Sequence, residues 1–255
     1  MRIVSLTCSN TEIVSALGCA DWLVGVDSDS DYPPEVVEKL PRVGRDLDVD
    51  ADKVKALNPD LVLASLTVPG HEKVLERLEK VGLPYIAPEP VTLEDVYQDI
   101  RDIGAKLGVS ERAESVVAEM KSEIQFHPLT LGAPSILIEW WPKPVIVPGK
   151  QSWATDLIHA AGGRNPLAER DVKSTPLEDA EVTEIDPSAF VISWCGVKPE
   201  KYRPDVIYRN AAWENAQAIV NRQVHCISEE YLGRPSPRLV EGYKALRRVV
   251  QACTE

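Results

Sequence analysis

Short apolar runs alternate with amphipathic helical patterns along this chain, the alternation breaks after Phe126, and it then begins again. Strand patterns occupy Arg2 to Leu6, Leu23 to Val26, Leu61 to Ala64 and Tyr85 to Ala87. Between them, apolar residues recur at helical spacing over Ala51 to Leu57, His71 to Val81 and Leu93 to Leu107. Such alternation predicts βαβ units and a mainly parallel sheet. Ser9-Asn10-Thr11-Glu12 reads as a capping box that opens a helix ended by Gly18.

Ser110 to Phe126 is a different kind of element. Ala113, Val116, Val117, Met120 and Ile124 form one apolar stripe on a charged helix. His127-Pro128, Gly132 and Pro134 then break the chain. The pattern resumes with strands at Ser135 to Glu139, Ala189 to Ser193 and Val224 to Ser228, and helices at Trp153 to Ala161 and Arg238 to Cys253.

The second half echoes the first. TEIVSALG, from Thr11 to Gly18, matches TDLIHAAG, from Thr155 to Gly162. VDADKVKALNPDLVLAS, from Val49 to Ser65, matches LEDAEVTEIDPSAFVIS, from Leu177 to Ser193, with Pro59 and Pro187 where a helix must stop and a strand begin. Internal duplication is the reading; a common αβ solution reached twice is the alternative. The expected fold is α/β: two Rossmann-like αβ lobes with mainly parallel sheets, joined by a single long α-helix. Its divisions fall at residues 1–109, 110–131 and 132–255. Ligands favour domain interfaces and the carboxyl ends of parallel strands, so the expected site is a cleft between the lobes.

Composition narrows the function. With 40 acidic and 28 basic residues the net charge is −12, which argues against nucleic acid, whose binding rests on clustered Lys and Arg. No apolar run approaches the roughly 20 residues of a membrane span. Six Trp and seven Tyr against two Phe mean that most aromatic rings carry a polar edge, which suits wet clefts. The five Cys contain no CxxC pair and are read as free, mostly buried thiols. A strand pattern begins at Arg2, so the expectation is either a cytoplasmic chain or one whose export signal was removed and Met1 added. His71, His127, His159 and His225 have no metal-site spacing, and His159 is read as structural. No GxxxxGK[ST], GxSxG or GxGxxG motif is present, and no catalytic residues are assigned.

RIVSLTCSNTEIVSALG, LVGVDSDSDYPPEV, LPRVG, ALNPDLVLAS, GKQSWATDLIHAAGGRNPL and GRPSPRL occur in order along nearly the whole chain. This set resembles the helical-backbone class of substrate-binding proteins that serve ABC importers for vitamin B12, ferric siderophores and haem. The SDYPP, ALxPDLV and RxSPR elements look most like the cobalamin binders. The resemblance implies a corrinoid held as transported ligand, with no intrinsic cofactor, and ABC permease subunits as partners. By motif, the ligand contacts would be Cys8, Ser9, Asn10, Tyr32, Gly44 and Arg45 in the first lobe. In the second they would be Trp140, Trp153, Trp194, Glu230, Tyr231 and Arg234. Arg234 is also read as a local partner of Glu230. Where the best-known B12 binders place tryptophans after LPRV and PDLV, this chain has Asp46 and Ser65, so the indoles of the other lobe would have to supply the apolar wall. In this family an acidic residue on each lobe meets arginines of the permease; Asp52 matches the first such position, and the second falls at Ala180 with Glu181 adjacent, so Asp52 and Glu181 are the expected docking acids. Three alternatives stay open: a ferric siderophore or haem as cargo on the same fold, a chelatase that inserts metal into tetrapyrroles, and a cytoplasmic corrinoid carrier without a permease.

Overall fold

A computed structural model describes residues 1–254 of the chain, which divides into two compact units. The first comprises Met1–Pro90 with Glu94–Glu119, the second Val91–Leu93 with the chain from Met120 onward.

Strands β1 (Ile3–Ser5), β2 (Leu23–Val26), β5 (Leu61–Leu63) and β6 (Tyr85–Ile86) build the sheet of the first unit in the order β2-β1-β5-β6, all parallel. Central β1 is buried along its whole length, as an apolar strand covered on both faces must be. A small antiparallel pair, β3 (Gly44–Arg45) and β4 (Asp48–Val49), stands beside it. The helices are α1 (Cys8–Ala16), α2 (Pro34–Val37), α3 (Ala51–Ala56), α4 (His71–Lys80), α5 (Leu93–Lys106) and α6 (Ser110–Glu123). Val74 and Leu78 of α4 pack with Val4, Leu6, Val62 and Ala64 into one apolar core. Of the stripe expected on the charged helix, Ala113, Val117, Met120 and Ile124 are buried and Val116 is half-buried, and the helix ends at Glu123 rather than Phe126.

The second unit carries β7 (Ile136–Glu139), β8 (Trp141–Pro142), β9 (Val145–Pro148), β10 (Ser174–Leu177), β11 (Ala189–Ile192) and β12 (Val224–Cys226). β12-β11-β7 is a parallel sheet, whereas β10-β9-β8 is antiparallel and went unread in the sequence. The helices are α7 (Trp153–Ala160), α8 (Asp179–Ile185), α9 (Pro204–Tyr208), α10 (Gln217–Val220), α11 (Glu229–Leu232) and α12 (Leu239–Ala252). Phe190, Ile192, Trp194, Tyr202 and Trp213 form the aromatic heart of its core, with Phe190 and Trp213 stacked at 5.2 Å between ring centroids.

The echo read in the sequence is present in the topology. β1-β5-β6 and β7-β11-β12 repeat one parallel order, and the matched segments place α3 before β5 and α8 before β11. The fold is α/β with mainly parallel sheets.

One detail of α1 differs from expectation. Its N-cap is Thr7, not Ser9: Thr7 has the extended backbone a cap needs (φ −144°, ψ 150°), and its hydroxyl accepts the Asn10 N–H. Ser9 is already helical, and Glu12 is buried. The thiols also depart from the buried reading. All five are free, but Cys195 and Cys226 are exposed and only Cys19 is fully buried.

Candidate functional site

The carboxyl ends of the parallel strands place the candidate residues of each unit. In the first unit, the first turn of α1, directly after β1, holds Cys8, Ser9 and Asn10. Ser9 is buried, its Oγ 3.2 Å from the Thr7 hydroxyl, and the Asn10 amide donates to the Ala64 carbonyl at 2.7 Å, tying this turn to the end of β5. These two side chains are therefore committed to holding the loop edge, and Cys8 is half-buried.

The turn after β2 is organised by Asp27, a residue that sequence reasoning missed. Its carboxylate accepts the Asp29 and Ser30 N–H groups at 2.9 and 3.1 Å and the Ser30 hydroxyl. Ser30 in turn meets Thr11 Oγ1 at 2.9 Å, and Thr11 donates to Ser5 Oγ at 2.8 Å. Burial pushes the Asp27 carboxyl above its ordinary range, while the hydrogen bonds from Ser30 and Asp29 pull it back. The repeated acids and serines of VDSDSD were the available signal. On this frame Tyr32 stands 43% exposed. Arg45 bonds Asp29 through Nε and Nη2 at 3.3 and 3.2 Å, and the Ser28 N–H donates to the Gly44 carbonyl at 2.7 Å. Tyr32, Gly44 and Arg45 thus belong to one loop cluster. Asp46, which replaces an expected aromatic, bonds His71 Nε2 at 2.8 Å. Ser65 meets the Thr67 hydroxyl at 2.9 Å, so both substituted positions are polar struts.

In the second unit, Trp140 is half-buried at the end of β7. Trp153 opens α7 behind the Ser152 cap, and its indole N–H donates to the Leu232 carbonyl at 2.8 Å. That bond brings Trp153 to the α11 segment, where Arg238 pairs with Glu230 at 3.0 Å and lies 4.9 Å over the Tyr231 ring. Arg234 sits 3.5 Å from Glu229. Arg238 itself was not singled out, although it closes the SPR element.

Trp194 corrects the expectation of an indole open to ligand. It is 6% exposed, packed edge-on against Tyr202, and its N–H donates to Glu139 Oε1 at 3.0 Å. A buried carboxylate next to the end of β11 turns the ring inward. Beyond it, the Tyr202 hydroxyl accepts the Glu229 N–H at 3.0 Å, joining the loops that follow β11 and β12. Cys195 reaches the surface but is ringed by protein, and loss of water, assisted by the Glu229 carboxylate, pushes its thiol up to about 12.

The two acids matched to permease contacts differ. Asp52 is exposed in the first turn of α3. Glu181 accepts the Glu178 N–H in the capping box of α8 and pairs with Arg170 at 2.7 Å. The histidines have structural partners: His127 meets Tyr243 at 3.3 Å and His225 meets Gln223 at 2.8 Å, while burial lowers the pKa of His159. Among the described residues no three His, Cys, Asp or Glu converge as a metal site, and no described helix is long and apolar enough to cross a membrane.

Each αβ unit gathers aromatic and polar loop residues at the carboxyl ends of its parallel strands, the place where ligands of open α/β sheets bind. Residues 3–231 match the family model described as periplasmic binding protein, and the chain belongs to that family. It is an ABC-importer substrate-binding protein of the helical-backbone class. The chain is 30% identical over 254 residues to an uncharacterized ABC transporter substrate-binding lipoprotein, YvrC, of Bacillus subtilis (strain 168), covering 96% of this chain and 78% of that protein. It is 26% identical to a vitamin B12-binding protein of Vibrio vulnificus (strain YJ016), covering 93% of this chain and 85% of that one. Among solved structures it resembles the periplasmic heme-binding protein RhuT from Roseiflexus sp. RS-1 in apo form. That match has a TM-score of 0.81 and 27% identity, and covers 100% of this chain and 99% of RhuT.

Proposed function

We propose that the chain captures a corrinoid between its two lobes, divided by the segment 110–131 that contains α6, and delivers it to the permease of an ABC importer. A corrin is a large puckered ring with an apolar rim and amide arms, so it needs ring faces to cover it and hydrogen-bonding loops to meet the amides. The observation that carries the reading is the grouping of Trp153, Tyr231, Glu230, Arg234 and Arg238 in one unit and Tyr32, Gly44 and Arg45 in the other. Each group combines an aromatic face with charged or backbone donors. The relative named for vitamin B12 binding supports the same choice. Asp52 and Glu181 are proposed to dock on basic residues of the permease, with Asp52 the more available of the two. The ligand would be cargo, released unchanged.

Haem is the second reading, favoured by the likeness to RhuT and by the exposed phenol of Tyr32, a group able to ligate ferric iron. Absorbance titration with cyanocobalamin, haem and a ferric hydroxamate chelate separates the cargoes. Saturable cyanocobalamin binding at micromolar or lower concentration, with the other two weaker, is expected. Haem binding tighter than cyanocobalamin would overturn the corrinoid reading.

A further inference from the structure

Asp29 and Arg45 face each other in the first unit because their backbones are fixed there. The Asp27 carboxylate takes the Asp29 and Ser30 N–H groups. From the other side, Arg42 Nη1 donates to the Asp27 and Ser30 carbonyls at 2.9 and 2.6 Å, and its Nη2 donates to the Val37 carbonyl at 3.0 Å. The turn after β2 is thus held by its N–H and its C=O groups at once. Its Ser28 N–H bonds the Gly44 carbonyl, which sets the two loops side by side. An exposed ion pair is worth little by itself, and this one has nothing to hold in place. The frame brings the two side chains together, 74% exposed for Arg45 and 43% for Asp29, so the effect of the pair is on charge.

That charge decides what Arg45 can recognise. Arg45 uses Nε and Nη2 on Asp29, the side-on edge that would otherwise fork a carboxylate. Its remaining N–H groups still donate, but the positive charge behind them is balanced. The surroundings go further. Within residues 27–32 and 42–46, four aspartates, Asp27, Asp29, Asp31 and Asp46, stand against two arginines, Arg42 and Arg45. Asp46 keeps its charge: His71 Nδ1 receives the Val68 N–H at 3.4 Å, so Nε2 is the donor to Asp46 and the ring is neutral. The repulsion registers at Asp27, whose carboxyl is raised by burial first and then, against the hydrogen bonds from Ser30 and Asp29, by the charges of Asp29 and Asp46. An anionic group brought to Tyr32 and Arg45 meets this excess, whereas a carboxamide carbonyl accepts the same N–H donors without it. We infer that Asp29 is a specificity-determining residue of the cargo site, which selects a carboxamide-armed macrocycle over a carboxylate-armed one by balancing Arg45. This rests on the reading that Tyr32, Gly44 and Arg45 contact the cargo, and not on which ring the cargo carries.

The test compares cyanocobalamin with its monocarboxylic acids, each with one amide arm hydrolysed, and ferric haem with the derivative whose propionates are converted to amides. Each set keeps one ring and changes only the arms. Absorbance titration near neutral pH gives the affinities for the native chain, Asp29→Asn and Glu111→Gln. Glu111 lies in the first turn of α6, beside the Arg112 that bonds the Leu17 carbonyl, so it removes the same charge at the far end of α1. The native chain is expected to bind the amide form of its ring more tightly than the acid, for at least one arm. Asp29→Asn should lower that amide-to-acid ratio about three- to fivefold, the size of one exposed charge interaction. Glu111→Gln should leave the ratio as it is, and both variants should melt cooperatively. Salt should narrow the native preference, because the screening length falls from about 30 Å at 0.01 M to about 3 Å at 1 M; a role in loop shape alone would not respond. A ratio unmoved by Asp29→Asn, moved equally by Glu111→Gln, or favouring the acid in the native chain would overturn the inference, as would binding of none of these probes. Haem or its amide binding tighter than cyanocobalamin would remove the corrinoid reading alone, and the ratio within the haem pair would then decide this one.

Discussion

Asn58 and Asp186 share a left-handed backbone, φ 48° and 43°, each directly before the proline that leads into a buried strand. They are equivalent positions in the two repeated segments, one after α3 and one after α8. A chain that must end a helix and turn at once into a parallel strand needs a residue that tolerates this region, and Asn and Asp are the usual side chains that do. The same local solution at the same place in both units makes the repeat structural as well as textual.

The two positions differ in what else they hold. Asp186 Oδ1 accepts the Gln217 N–H at 2.8 Å, fixing the start of α10. Asn58→Gly should therefore leave stability unchanged or raise it by up to about 1 kcal/mol, since glycine adopts positive φ without steric cost. Asp186→Gly should lower it by about 1 kcal/mol through the lost hydrogen bond. Urea melts of the two variants check the contrast; equal effects would show that the backbone alone matters.

Gly44 has φ 120°, and a Cβ there would run into the Asp48 carbonyl across the β3–β4 pair. Gly44→Ala should cost about 1–3 kcal/mol, the range for strain at such a backbone. It should also displace Arg45 from Asp29. Thermal melting measures the first effect. Weaker cyanocobalamin binding beyond the loss of folded protein would measure the second.

Tyr32 and Trp153 separate ligand contact from packing. Tyr32 is exposed, so Tyr32→Ala should leave the melting temperature nearly unchanged while weakening ligand binding by about 1–3 kcal/mol. Trp153 is hydrogen-bonded to Leu232, so Trp153→Ala should lower both stability and affinity. Trp153→Phe keeps an aromatic ring of smaller size and loses the N–H, and should cost at least about 1 kcal/mol of stability through the lost hydrogen bond. Titration and melting of the same samples give both readouts. Unchanged affinity in both alanine variants would remove these rings from the site.

These contrasts also show where the sequence is legible. Helices such as His71–Lys80 announce themselves because burial on one side imposes a period on the chain, and strands such as Leu23–Val26 because burial on both faces makes a short continuous apolar run. β8 to β10 do not, because Trp141–Pro142 is two residues long and Ser174–Leu177 mixes polar residues with a proline. The loop residues fare similarly. Tyr32 and Arg45 follow from motif, but Asp27 acts by folding its own turn around its carboxylate and Arg238 acts through Glu230 and Tyr231 on the preceding helix, neither of which leaves a pattern in the sequence. Trp194 was misjudged for the same reason. Its place at a strand end is local information, whereas its inward turn depends on Glu139, 55 residues earlier.

Glu139 gives the fold a pH dependence whose sign follows from its burial. Its pKa rises from 4.5 to about 7 in the folded chain, so between those values the folded state holds a proton that the unfolded state has released. The contribution is fully present below about pH 4.5 and is lost as pH climbs through about 7, a fall of ~3 kcal/mol from the 1.36 kcal/mol carried by each pKa unit. Lys143, Arg209, Glu178 and Asp179 line a cavity beside Glu139, and the Trp194 N–H is the bonded neighbour. Asp27 is shifted in the same direction, and Asp99 rises to about 7, so whole-protein stability combines three such groups. Glu139→Gln isolates one. The stability of the native chain minus that of the variant should decline steadily from pH 4.5 to 8, measured by urea melts at half-unit intervals. A flat difference would mean that Glu139 stays ionised in the fold.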